Sequence, residues 1–268
     1  MNNNNFTIYL YTLCYNEMDV LPFVIDYWKY LGITKAVVYD NGSNDGSVEF
    51  LSQFNWIEIR HFQTEGMNDT VQAEIKNKCW KETKDKDVDF VIVCDMDEII
   101  FSTNLNEILE EMKTKDYNAM VSPLYGICED FKPEHADNVL LHTQCHKYYK
   151  QQMNRQYHDM SKIMLFDPNK IDDMQFAVGC HSANPIPKLK LLITDKAVTI
   201  HIDKGFGIQY QIEKRKIMND NLSEENKKKH YCFQYGYTPE KITEMYINNQ
   251  KSSTDINNTI IKKWMNEK

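Results

Sequence analysis

The chain reads as an α/β protein: a doubly wound, mostly parallel, Rossmann-like sheet followed by a helical C-terminal extension. Three observations predict this. Short apolar runs rich in β-branched residues alternate with amphipathic stretches through residues 6–100. Each run closes on polar or turn-forming side chains, as expected where an open sheet presents its strand ends to a ligand. One run, residues 88–100, is apolar from Phe90 to Cys94, as for a strand buried on both faces, and then breaks into Asp95, Asp97 and Glu98.

Residues 6–13 (FTIYLYTL) form the first strand by aromatic and β-branched content. Cys14-Tyr15-Asn16-Glu17 is a loop, and Asp19 caps a helix with Pro22 in its tolerant first turn. Val20, Phe23, Val24, Tyr27, Trp28 and Leu31 recur at helical spacing until Gly32 stops that helix. Residues 35–39 (KAVVY) are a second buried strand, ending in the turn cluster Asp40-Asn41-Gly42-Ser43-Asn44-Asp45-Gly46-Ser47, where Asp45 or Ser47 caps the next helix. Residues 56–61 (WIEIRH) are a third strand, and residues 69–82 a helix with Val71, Ile75, Cys79 and Trp80 inward.

Beyond the acidic break the pattern loosens. Residues 105–112 are helical and 119–124 a strand, while 129–160 show no clean period and read as loops over the cleft. Short strands follow at 162–166 and 197–202, then helices at 208–220, 239–248 and 257–266. The expected division is a ligand-binding and catalytic domain over 1–205 and a helical extension over 206–268. In the extension Tyr210, Ile217, Met218, Ile242, Met245 and Tyr246 mark apolar stripes that must be covered, packing in cis being favoured over a second copy.

Composition narrows the function. A hydrophobic fraction of 42% over 268 residues supports a real core, and a net charge of −8 argues against nucleic acid as a partner. No apolar run is long enough to span a membrane, and the Asn-rich start is not a signal peptide. The seven cysteines are odd in number, scattered and without a CxxC pair, so neither a structural zinc site nor a disulfide framework is indicated. The expected location is the cytoplasm, including the inner face of the membrane. Asp95 and Asp97, two apart, would point the same way on a continuing strand. Two such carboxylates are costly together unless neutralised, and a hard divalent ion carrying a diphosphate would do so. On that view removing Asp97 leaves stability level or raises it.

Three motifs, each at a strand end, carry a resemblance: Tyr15-Asn16-Glu17, then residues 38–46 (VYDNGSNDG), then Asp95-Met96-Asp97-Glu98. Together they resemble the inverting nucleotide-sugar glycosyltransferases of the family-2 type, which have the GT-A fold, and in particular a bacterial subgroup with an N-E start and a D-x-D-E motif. The resemblance covers roughly residues 6–205. It implies a sugar nucleotide as donor, a uridine diphosphate sugar being favoured, and a saccharide or glycan acceptor, lipid-linked acceptors included. It implies Mn²⁺ or Mg²⁺ as cofactor, with Asp95 toward ribose or metal and Asp97 on the metal. A downstream histidine completes the set in such enzymes; His181 is the first candidate and His201 its rival.

Asn16, Glu17 and Asp40 then face the nucleotide, Asp40 taking a ribose hydroxyl or base N–H, with Gln72 on the helix before the acidic strand. Tyr15 and Tyr39 flank that region and Glu98 orients a neighbour. The base that accepts the acceptor's proton falls in mid-chain: Asp130 is preferred over Glu129, and Asp159 stays open. Arg155 and Lys162 are candidates to neutralise the diphosphate. Two other readings compete, a sugar nucleotidyltransferase and a non-catalytic sugar-nucleotide-binding domain. The first lacks the Gly-rich basic loop it needs after the first strand; a phosphatase of the Asp-x-Asp-x-Thr type fails at Glu98 and Ile99.

Overall fold

A computed structural model of the protein describes residues 5–137, 139–151, 162–202 and 206–256. The opening alternation is β1 (Ile8–Cys14), α1 (Leu21–Leu31), β2 (Lys35–Asp40), α2 (Ser47–Leu51), β3 (Ile57–His61), α3 (Asp69–Lys78) and β4 (Phe90–Val93). Next come β5 (Glu98–Phe101), α4 (Leu105–Thr114), β6 (Ala119–Val121), β7 (Leu124–Ile127), β8 (Lys147–Lys150) and β9 (Leu165–Phe166). The chain continues through β10 (Leu191–Ile193), β11 (Val198–His201), α5 (Ile208–Asp220), α6 (Glu224–Lys229), α7 (Pro239–Lys251) and β12 (Thr254–Asp255).

The main sheet has the order β10-β6-β9-β4-β1-β2-β3. β1 pairs in parallel with β2 and β4, and β2 with β3; only β9 runs against its neighbours. The period of two along each strand explains the continuous apolar runs. Ile8, Leu10, Ala36, Val38, Phe90 and Ile92 pack with α1 on one face. Tyr11, Val37, Val91 and Val93 pack with Trp80 and Phe166 on the other. Both faces are covered, so apolar side chains predominate at both phases of the period of two, with Thr12 in β1 a buried exception. Trp28, Trp80 and Tyr27 are fully buried, and burial of side chains this large stabilises by at least about 2 kcal/mol each.

The acidic run does not continue as one strand. β4 ends at Val93, the Glu98 N–H closes a turn on the Asp95 carbonyl at 3.1 Å, and the chain re-enters as β5 in a second sheet. That sheet has the order β12-β8-β7-β11-β5, with β11 antiparallel to β5 and parallel to β7. Residues 119–124, expected as one strand, likewise divide into β6 and β7, one in each sheet. Pro123, which lacks an N–H for the ladder, stands at the division. The predicted helix over 69–82 stops at Lys78 and tightens into a 3₁₀ turn, Cys79–Thr83.

The C-terminal extension folds back onto the sheet domain. Ile242 and Tyr246 are buried, Tyr210 packs against the core, and Ile217 alone of that stripe is 58% exposed. Met67 pairs with the tail: its N–H donates to Asn221 O, and Ser223 N–H donates back to Met67 O at 3.1 Å. Gly66, at φ +70°, permits this approach, since a Cβ there would run into the Asn221 carbonyl. Asn226, fully buried, accepts the Asp69 N–H at 3.0 Å, and Glu225 accepts from Asn68 and Thr70, so α6 seals the start of α3. The helix expected over 257–266 lies outside the described residues. Among the described residues no helix is long and apolar enough to cross a membrane.

Candidate active site

A cavity of about 240 Å³ opens at the C-terminal ends of β1 and β4. Its floor is the turn carrying Asp95, Met96 and Asp97; α3 supplies Asp69, Gln72 and Lys76, and α5 supplies Lys214 and Met218 from the opposite side. Asn68 starts α3 by accepting the N–H groups of Thr70 and Val71. Gln72 and Lys76 follow on one helical face, four apart.

The two aspartates part company. Asp95 lies between two buried lysines: Lys76 on Oδ1 and Lys162 on Oδ2, the latter at 2.5 Å. Lys162 also meets Glu98 Oε1 at 2.9 Å, and Glu98 Oε2 accepts the Asp95 N–H at 3.3 Å. Burial opposes ionisation of Asp95, but the ammonium groups of Lys162 and Lys76 overcome it and hold the carboxyl far below its ordinary range. Asp97 turns the other way, with Oδ2 3.4 Å from His201 Nε2 and 3.8 Å from Lys214 Nζ. Burial opposes its ionisation too, and His201 and Lys214 reverse the effect. The expectation that the pair converges on one ion is therefore corrected: the chain leaves the strand before Asp95, and the period of two ends with it.

Asp97 and His201 form a two-residue donor set, while among the described residues no group of three or more His, Cys, Asp or Glu is gathered to hold a metal ion. A carboxylate and an imidazole fit a divalent cation that fills its shell with diphosphate oxygens and water. His181 lines the same cavity with its ring against Gly179, whereas His201 is the histidine at Asp97.

Glu17 lines the cavity with its carboxylate 3.5 Å from Lys214 Nζ. Burial pushes its pKa up to about 7 from an ordinary 4.5, against the pull of Lys214 and helped by Asp97. The folded state thus binds the Glu17 proton more tightly than the unfolded one does. The stability this confers is complete below pH 4.5 and is lost as pH rises through 7. Glu17→Gln in chelated protein is expected to raise stability by about 3 kcal/mol at pH 8 and by little at pH 4.5. Urea titrations at the two pH values measure this; an equal gap at both would rule it out.

Other expected site residues serve the scaffold. Asp40 is 1% exposed and accepts the N–H groups of Gly42 at 3.0 Å and Ser43 at 3.2 Å, with His61 Nδ1 at 3.3 Å. The carboxylate thus accepts within its own turn, and of that loop it is Asn41, not Asp40, that lines the cavity. Asn16, at φ +54°, accepts the Asn44 N–H at 2.8 Å and locks the first two loops together. Tyr39 points to Arg60, while Tyr15 and Phe62 line the cavity beside Gln72.

Glu129 and Asp130 stand apart from this cavity: neither is among the residues that line it. Glu129 is buried and accepts the Lys147 N–H at 2.7 Å; Asp130 is exposed, pairs with Lys147 at 2.7 Å and meets Gln250 from the tail. Lys147 holds the Asp130 carboxyl below its ordinary value, which suits an ion pair rather than a proton acceptor. Arg155 and Asp159 lie outside the described residues. Sequence reasoning missed Lys76 and Lys214. The spacing of Lys76 from Gln72 was a usable signal; for Lys214 there was none, because its place depends on the tail folding back.

A cavity at the strand ends of a doubly wound sheet, lined by both carboxylates and lysines, is placed where open α/β sheets bind their ligands. The chain belongs to glycosyltransferase family 92, whose sequence profile matches residues 5–264 and so takes in the tail. No curated protein matches the chain. Among solved structures it is similar to Staphylococcus aureus TarS residues 1–349, at 11% identity and a TM-score of 0.42, over 82% of this chain and 68% of that one. The crystal structure of that fragment with UDP-GlcNAc aligns at 10% identity and a TM-score of 0.40, over 91% of this chain and 72% of the other.

Proposed function

We propose that this glycosyltransferase moves a sugar from a nucleoside diphosphate sugar, uridine diphosphate favoured, to a hydroxyl of a saccharide or glycan acceptor, with inversion at the anomeric carbon. The observation that carries this reading is the Asp97–His201 pair, 3.4 Å apart, on the cavity floor at the strand ends. A divalent cation held by Asp97 and His201 would steady the diphosphate and the charge that grows on its leaving oxygen. Lys214, between Glu17 and Asp97, adds a positive charge on the side of α5. Lys76 and Lys162 hold Asp95 ionised and immobile, so Asp95 offers a fixed negative edge to a ribose hydroxyl or ammonium-linked water. Tyr15 and Phe62 offer aromatic faces and Gln72 an amide to a pyrimidine base. Glu17, the cavity carboxylate whose proton affinity lies near neutrality, is assigned the proton of the attacking hydroxyl.

The test is calorimetry with Mn²⁺ present, followed by release of free nucleotide from a panel of sugar nucleotides. UDP is expected to bind more tightly than CDP or GDP, and a UDP sugar to be turned over. Tight GDP binding with no heat from UDP would overturn the donor assignment. UDP binding without release from any sugar would favour a non-catalytic sugar-nucleotide-binding domain.

A further inference from the structure

We propose that Gln151 is a positioning residue that sets the tautomer of His201 and thereby keeps the Asp97–His201 pair open to a cation. The consequence for the cation rests on the function proposed above; the tautomer assignment does not.

His201 ends β11, in register with Glu98 on one side and Gly126 on the other. Gly126 has no side chain, and a Cβ there would meet the Gln151 amide and the Tyr149 ring. That gap admits Gln151, which is 6% exposed, to the back of the imidazole. Gln151 Oε1 lies 3.0 Å from His201 Nδ1, and Gln151 Nε2 lies 2.6 Å from the Tyr149 hydroxyl oxygen. With its N–H₂ turned to Tyr149, the amide presents an acceptor to the ring. Nδ1 therefore carries the hydrogen and donates it.

In the neutral ring the other nitrogen then carries the lone pair and faces Asp97 Oδ2 at 3.4 Å, whereas in the protonated ring both nitrogens carry hydrogen and the imidazolium pairs with Asp97. Two electron-rich atoms at that distance are favourable only with a positive charge between them. Free imidazole prefers the opposite tautomer, with hydrogen on Nε2. That hydrogen would bond Asp97 directly and close the pair on itself. Gln151 prevents this, as an outer partner fixes a ligating histidine elsewhere.

The test uses the full chain, uniformly ¹⁵N-labelled and metal-free, above pH 8. Two-bond ¹H–¹⁵N correlation distinguishes the tautomers of its eight histidines, and His201→Gln identifies the signal by its loss. The native chain is expected to show His201 as Nδ1–H. Gln151→Leu is expected to move it to Nε2–H and to weaken Mn²⁺ binding, read from free Mn²⁺ by electron paramagnetic resonance, by about 10–100-fold. Gln151→Glu, which keeps the acceptor, should restore both. If the leucine variant does not fold, Gln151→Asn, too short to reach Nδ1, carries the same expectation. A native His201 in the Nε2–H form, or an unchanged tautomer in the leucine or asparagine variant, overturns the proposal. A correct tautomer pattern with no Mn²⁺ binding leaves Gln151 in its role and refutes the cation reading instead.

Discussion

Asp97→Asn is expected to lower kcat/KM for sugar transfer by about 10³-fold or more, the scale on which loss of one group stabilising a developing charge is felt. Asp95→Asn should be the lesser lesion for Mn²⁺ affinity, because its two oxygens are engaged by Lys76 and Lys162. Measuring Mn²⁺ binding and transfer in both variants separates the two aspartates. Equal loss of Mn²⁺ affinity in each would mean that they share the ion after all. The structure also reverses an expectation about stability. Relief of repulsion was the reason to expect a level or rising melting temperature without Asp97. Its carboxyl is instead held low by His201 and Lys214, against the effect of burial. A depressed carboxyl pKa contributes stability above its unfolded value of 3.8, lost as pH falls. Asp97→Asn should thus melt earlier than the native chain at pH 7, with the gap narrowing toward pH 3.

Lys162→Met should be the most destabilising single change in the cavity. Lys162 is 5% exposed and serves two carboxylates, Asp95 at 2.5 Å and Glu98 at 2.9 Å. Removing it leaves Glu98, 2% exposed, as a buried charge without its cation. Breaking a buried pair from one side costs about 3–5 kcal/mol, because the remaining charge stays desolvated. In a chain of this size that lowers the melting temperature by roughly 10 °C. Adding Glu98→Gln to Lys162→Met should recover much of the loss, since the orphaned charge goes with its partner. Urea unfolding of the two single variants and the double variant measures this. A loss under about 1 kcal/mol in Lys162→Met would show that the trio is solvated and works as a surface pair does.

Much of the fold was legible because dry strands write themselves as apolar runs. β1 to β4 fall where the runs predicted, and α5 spans the expected residues, 208–220. The break after Val93 was harder to see. Cys94 and Met96 are as apolar as the strand before them, yet they sit in a turn, and hydropathy does not distinguish the two. The identity of the acidic motif was therefore readable while its geometry was not. Asp40 shows a second limit. A carboxylate ending a strand can face a ligand or satisfy its own turn, and only the two N–H groups it accepts decide between them. The histidine question had the same character: His201 meets Asp97 because β11 pairs with β5, a contact across about a hundred positions that no local pattern records.

The pairing of Met67 with the segment around Leu222 has a consequence for how the enzyme is made. Bonds that seal the cavity, such as Asn68 to Glu225 and Asp69 to Asn226, join groups 157 positions apart. A ribosome working from the N-terminus lays down the sheet first, and the nascent chain carries a half-built cleft until those late residues emerge. Ligand affinity at the cavity is consequently expected to appear as a single late event, only in chains long enough to include residues 221–226.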